Sequence, residues 1–242
     1  MPIFWLLLWD LAISRPNYRH GLLPGLVSFL LLSGCQSAAF YTQATVGQSE
    51  LLWHSRPIGE VLADPQTPEG IRERLTLVES VRQFAGEVLA LPANRSYRRY
   101  VDIERDFVMW NVFAAAEFSV EPELFCYPIA GCVGYQGYFK KADAVAFANS
   151  LAVQGFEISV GPVAAYSTLG WFADPVVSSV LSYSDTDLAG LVFHELAHER
   201  VYIKDDTTFN ESFATFVERE GTRRWLASSG QQADIAGFEK IQ

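Results

Sequence analysis

Five consecutive residues carry the strongest chemical signal in the chain: His194-Glu195-Leu196-Ala197-His198. On an α-helix, residues four apart stack on one face, so His194 and His198 can offer two imidazole nitrogens to a single metal ion. They share a row with Leu191 and Val201, which turns the pair towards an apolar interior. Glu195, one residue further round, flanks the metal where it can accept a proton from water. Zinc in a catalytic site takes three protein ligands and keeps one position open, and it lowers the pKa of the water there from ~15.7 to about 7. The pattern therefore predicts one Zn2+ ion, Glu195 as general base, and hydrolysis of a peptide bond with the proton passed to the leaving amine. Two satisfied core histidines would also fit such a helix. The apolar row and the acidic residues downstream favour the metal.

A third ligand must come from outside the motif. Glu211, after Asn210, reaches the metal if a second helix packs antiparallel to the first across the polar connection Lys204–Thr207. Thr208-Phe209-Asn210-Glu211 also matches a capping box, in which Glu211 would bond back to the backbone of Thr208. Glu218, two turns on along the same face, is an alternative ligand or a partner for the outer nitrogen of a histidine. Asp205 and Asp206 are further candidates, and spacing alone leaves the choice open.

The elements that must position these groups can be read from periodicity. Asp187 can cap a helix from Leu188 to about Ile203, and Thr208 one from Phe209 to about Leu226. Upstream, Tyr41–His54 and Ile58–Ala63 read as helices. Thr67-Pro68 reads as a cap and first residue of an amphipathic helix Pro68–Leu91, with apolar residues three and four apart. Phe107–Ala115 reads as a buried strand and Val133–Phe139 as a strand or turn. Lys140–Gln154 reads as a helix stopped by Gly155, and Phe156–Val160 and Val163–Leu169 as extended pieces either side of Gly161-Pro162. The sum is an α+β chain without repeats, expected to form one domain over 35–242.

Half the residues are hydrophobic and 19% are charged, which fits a folded globular protein. The net charge of -10 argues against nucleic acid as a partner, which needs a basic face. Arg15, Arg19 and His20 precede the apolar run Gly21–Leu32, which is shorter than a membrane span and is followed by small residues, the order of a signal peptide over 1–34. Leu32-Ser33-Gly34-Cys35 resembles the bacterial lipobox, which implies cleavage before Cys35 and a lipid anchor on it. Gln36 rather than Asp after that cysteine implies the outer membrane, with the chain on its periplasmic face. Pro2–Ile13 does not fit a normal signal, so the true start is expected downstream of Met1. In an oxidising compartment Cys126 and Cys132 would close a small disulfide loop.

The residues HELAH…FNESFA resemble the HExxH…NExFA signature of the gluzincin metallopeptidases. That resemblance implies a zincin-like fold with a small sheet and an HExxH active-site helix followed by a glutamate-bearing helix. It also implies His194, His198 and Glu211 as zinc ligands. Longer stretches, FCYPIAGCVGYQGYF, AYSTLGWFADP and FHELAHERVYIKDDTTFNESFATFVE, resemble a bacterial family of predicted aminopeptidases that are often predicted lipoproteins. The expectation is a zinc-dependent aminopeptidase at the cell envelope acting on peptides. A zinc endopeptidase and a non-catalytic zinc-binding envelope lipoprotein are the alternatives. In gluzincins an edge strand before the active-site helix binds substrate backbone, which places Val163–Leu169 in that role with Tyr166 facing the cleft. A donor to the developing oxyanion is also needed, and Tyr202, Tyr166 or Tyr183 could supply it. Gluzincins take that donor from sequence beyond the third ligand; only 31 residues come after Glu211, so the chain is expected to lack part of a cleft wall. Glu117, Glu121 and Glu123 could hold a substrate amine but read as a solvated surface.

Overall fold

The computed structural model describes residues 23–127, 131–165, 168 and 172–230, with backbone alone over 23–38. The chain divides into two units, Met1–Tyr41 and Thr42–Gln242. Helix α1 (Leu23–His54) is continuous through Cys35, where the sequence suggests a short tether. Nothing between Ser33 and Ala39 breaks a helix: the residues are small or polar, with one glycine. Residues 1–22, which hold most of the expected signal peptide, lie outside the described residues. Among the described residues no helix is long and apolar enough to cross a membrane.

The second unit is α+β with three small sheets. One joins β1 (Arg56–Pro57), β2 (Arg99–Val101) and β8 (Val176–Val177), with β2 antiparallel to β1 and parallel to β8. A second, wholly antiparallel, places β3 (Met109–Ala116) between β6 (Gln136–Tyr138) and β7 (Phe156–Val163). The third is a hairpin of β4 (Phe125–Tyr127) and β5 (Gly131–Val133), in which Cys126 and Cys132 face each other and are disulfide-bonded. The β7 strand runs straight through Gly161-Pro162, and Ala164, Ala165 and Thr168, the described residues of the rest of that stretch, form no strand. Proline is tolerated because β7 is an edge, where the missing N–H breaks no ladder. The expected substrate strand Val163–Leu169 is thus corrected at its described positions; Tyr166 lies outside the described residues.

Helix α2 (Ile58–Ala63) matches its expected span, and α3 (Glu69–Glu87) is shorter than the apolar periodicity. Thr67 does not cap α3; its hydroxyl donates to the carbonyl of Val61 at 2.7 Å and closes the turn from α2. The far end stops because Ala90 adopts φ 55 and Leu91 N–H returns to the Ala85 carbonyl at 3.0 Å, a left-handed closure that precedes the last apolar residue. Helix α4 (Lys141–Ala152) covers the second sheet, with Phe147 packed on Tyr138 and Phe125 at ring distances of 5.5 and 5.8 Å. Gly155, at φ 92, ends that region.

Helices α5 (Asp185–Arg200) and α6 (Thr207–Ser228) form the hairpin that concerns function. The core beneath them gathers Leu75, Val78 and Val81 of α3, Leu188, Val192, Phe193 and Leu196 of α5, and Trp225 and Leu226 of α6. Arg74 of α3 pairs with Asp185 and donates to the carbonyl of Tyr183 at 2.6 Å, which pins the start of α5. Asn94 grips Glu199 near its end.

Candidate metal centre

The motif-bearing helix begins earlier than Asp187. Ser184 is its cap: the hydroxyl oxygen accepts from the Asp187 N–H at 3.1 Å and donates to the Asp187 carboxylate at 2.7 Å. The Ser184 side chain thus caps the helix at the Asp187 N–H, and the cap stands three residues upstream of the expected one. The helix ends at Arg200 because Val201 turns extended, at φ -141. His194 and His198 are one turn apart, and their Nε2 atoms face each other at 3.2 Å.

The second helix also starts earlier than expected. Asp206, not Thr208, is the cap, and its carboxylate accepts from the Phe209 N–H at 2.9 Å. Glu211 is thereby moved into the helix body and released from the capping box. Its carboxylate reaches both rings, with Oε2 at 3.4 Å from His194 Nε2 and Oε1 at 3.6 Å from His198 Nε2. Glu218 takes the other side of the first ring, Oε2 at 2.8 Å from His194 Nδ1. One choice left open by spacing is closed by geometry: Glu211 meets the inward nitrogens and Glu218 the outward one. Asp206 is used as the cap, and Asp205 faces elsewhere, accepting from the Cys132 N–H at 2.8 Å.

Two residues that periodicity passes over make this approach possible. Asn210 is buried, and its side-chain amide closes on one residue of the connection, donating to the carbonyl of Ile203 and accepting from its N–H, each at 2.7 Å. The asparagine that precedes Glu211 therefore sets the length and angle of the interhelical turn. Gly190, one turn before His194, has no side chain where a Cβ would meet Glu218 Cγ at 3.3 Å and Thr222 Oγ1 at 3.4 Å. A side chain there would crowd the Glu218 side chain, which holds the histidine.

The crowding sets the electrostatics. Burial alone would lower His194, but hydrogen bonds with Glu211 and Glu218 and the nearby Glu195 carboxylate outweigh it and raise the pKa to about 10. Burial lowers His198, and Glu211 offsets this only in part. The contact with His194 brings Glu211 below its ordinary value. Burial pushes Glu195 up to about 7; His194 opposes the rise, and Glu211, Asp174 and Glu199 reinforce it. The donor set fits a metal ion: two ring nitrogens and one carboxylate oxygen lie within 4.8 Å of one another, and these three side chains can hold a metal. The two Nε2 atoms lie 3.2 Å apart beside the Glu211 carboxylate, an arrangement that a cation between them would satisfy.

The remaining candidates separate. Tyr202 comes just after α5, is half-buried, and is raised by burial, Asp205 and Glu211, so it stands near the third carboxylate. Tyr183 precedes the cap Ser184 and is separated from His194 by roughly 15 Å of helix. Glu117, Glu121 and Glu123 are exposed on the segment between β3 and β4. Cys35 lies on α1, with its side chain outside what is described.

The fold and site together define a mixed α+β protein with a two-histidine, one-glutamate group on a helical hairpin. Residues 39–242 match the family model described as "Putative aminopeptidase", and the chain belongs to that family. No curated protein and no solved structure matches it.

Proposed function

We propose that this chain is a zinc-dependent peptidase of gluzincin type, an aminopeptidase held by a lipid on Cys35 at the periplasmic face of the outer membrane. The observation that carries the reading is the convergence of His194, His198 and Glu211 within 4.8 Å beside the half-buried Glu195. The family to which the chain belongs supports peptide as the substrate and the free amino end as the site of attack.

Zinc held by these three residues would supply a Lewis acid that makes water acidic near neutral pH. The protein does the rest. Glu195, with a pKa near 7, is poised to take a proton at its carboxylate and return it to the leaving amine. Glu218 accepts the Nδ1–H of His194, which fixes the tautomer that leaves Nε2 free for the metal. Glu211, ionised by its contacts, contributes the negative charge that balances the cation.

The test is a Glu195→Gln variant beside the wild type, both loaded with zinc. The expected result is equal zinc content and loss of hydrolysis of an aminoacyl p-nitroanilide in the variant. A wild type with no activity that this change removes would leave only a zinc-binding lipoprotein. An endopeptidase is the second reading: Glu117, Glu121 and Glu123 are exposed on the segment between β3 and β4, and no contact ties them to the histidines. Peptides acetylated at the amino end discriminate, since only an endopeptidase cleaves them. For the anchor, Cys35→Ser should release the protein from membranes.

A further inference from the structure

A cavity of about 440 Å³ opens away from the metal centre, within the roughly 300–1,000 Å³ of clefts that take small molecules. One part of its lining is Arg105, Asp106 and Phe107, from the connection between β2 and β3. The other part is the short 3-10 helix Ser178–Ser182 with Tyr183 after it, which lead into α5, and Ala164 just beyond β7. Tyr183 is separated from His194 by roughly 15 Å of helix, so what fills this cavity is independent of the peptidase reading.

The walls are tied to one another. Ile103 N–H donates to Ser178 Oγ at 3.0 Å, and the Ser179 hydroxyl donates to the carbonyl of Ala164 at 2.6 Å. Val108 N–H donates to the carbonyl of Val163 at 2.9 Å, which fixes the far end of the connection on the last residue of β7. Within it Glu104 takes the left-handed backbone at φ 51, and the chain turns there just before Arg105. The Arg105 guanidinium is held twice, donating to the carbonyl of Val108 at 2.9 Å and lying 5.7 Å from the centre of the Trp110 ring. The cation is thus positioned before any ligand arrives.

Arg105 and Asp106 carry opposite charges and line the same cavity, yet neither has a salt-bridge partner among the described residues. The contact with Val108 uses one of the five donors of the guanidinium, so the rest remain for a ligand. Ser178 Oγ accepts from Ile103 and keeps its own proton to donate. A cation, an anion and a hydroxyl donor around one space are the complement of a small zwitterion. Phe107 and Tyr183, each 37% exposed, leave ring surface uncovered in the same lining, where an apolar group can pack. We infer that this cavity binds a free α-amino acid with an apolar side chain, its carboxylate on Arg105 and Ser178 and its ammonium on Asp106.

Calorimetric titration of the zinc-loaded full chain with L-phenylalanine is the test. The wild type should bind it saturably at millimolar concentration or below. Arg105→Gln and Asp106→Asn should each weaken binding by about 10- to 100-fold, the loss of a hydrogen bond to a charged group, with the thermal unfolding of each variant unchanged. Phenethylamine, which lacks the carboxylate, and hydrocinnamate, which lacks the ammonium, should bind the wild type correspondingly more weakly; this arm needs no variant to fold. Binding should survive in Glu211→Ala. No saturable binding, or equal binding of either analogue, overturns the assignment. So does binding that is lost in Glu211→Ala and kept in Arg105→Gln, because the amino acid would then sit at the metal centre. Binding is read without catalysis, so a chain that hydrolyses no peptide overturns the peptidase reading and leaves this site standing.

Discussion

Glu218 Oε2 lies 2.8 Å from His194 Nδ1, on the side of the ring opposite the nitrogen that faces His198 and Glu211. The single imidazole is thereby gripped at both nitrogens by carboxylates of one helix, seven residues apart on α6. Such a grip orients the ring before any metal arrives. It also gives the two glutamates different places, one beside the facing Nε2 atoms and one behind the ring at Nδ1.

Glu211→Ala should abolish stoichiometric zinc binding, because only two ligands remain. Glu218→Ala should retain the ion but weaken its affinity by about 10- to 100-fold. Competition with a chromophoric chelator measures both. Equal losses in the two variants would mean that the two carboxylates share the metal.

Zinc affinity should depend on pH in a stated direction. In the metal-free chain His194 is raised to about 10, so it carries a proton at neutral pH that binding must expel. Affinity should therefore rise with pH until about 10 and then level off, as calorimetry in buffers of different ionisation heat can track through the protons released. The same shift ties stability to pH: the contribution of protonated His194 is full below its unfolded value of ~6.5 and fades as pH climbs through about 10. The metal-free protein should accordingly lose thermal stability across that alkaline window, and the zinc-loaded protein should not.

Asn210→Ala should cost about 1–3 kcal/mol of stability, since the N–H and carbonyl of Ile203 lose their shared partner. Zinc affinity should fall with it, because the turn no longer holds Glu211 in line. Urea unfolding with a parallel zinc titration checks the two together.

Replacing Cys126 and Cys132 by serine removes a loop closure worth roughly 2 kcal/mol. The hairpin carries Cys132, whose N–H holds Asp205, so catalysis should weaken while zinc stays bound. Dithiol treatment of the wild type should reproduce the effect, with zinc content as the control.

Much of this molecule was legible one residue at a time. The four-residue spacing of His194 and His198 places them on one face of any helix, and the apolar row around them requires that helix to be buried. The closeness of Cys126 and Cys132 in sequence allows a bond whatever surrounds them. These are local properties, set by the pitch of a helix or the reach of a short loop, and they survive any packing. The job of Glu211 was of another kind. It depended on whether Asp206 or Thr208 capped α6, a shift of two residues that separates a capping glutamate from one that meets the histidines. The choice was made by Asn210 closing on Ile203 and by Gly190 leaving room for Glu218, contacts between segments that periodicity treats as independent. Likewise Cys132 stands 73 positions before Asp205 and shares no pattern with it. Only the docking of the disulfide hairpin on the interhelical turn brings the two together, because distance through space is set by packing and has no counterpart in distance along the chain.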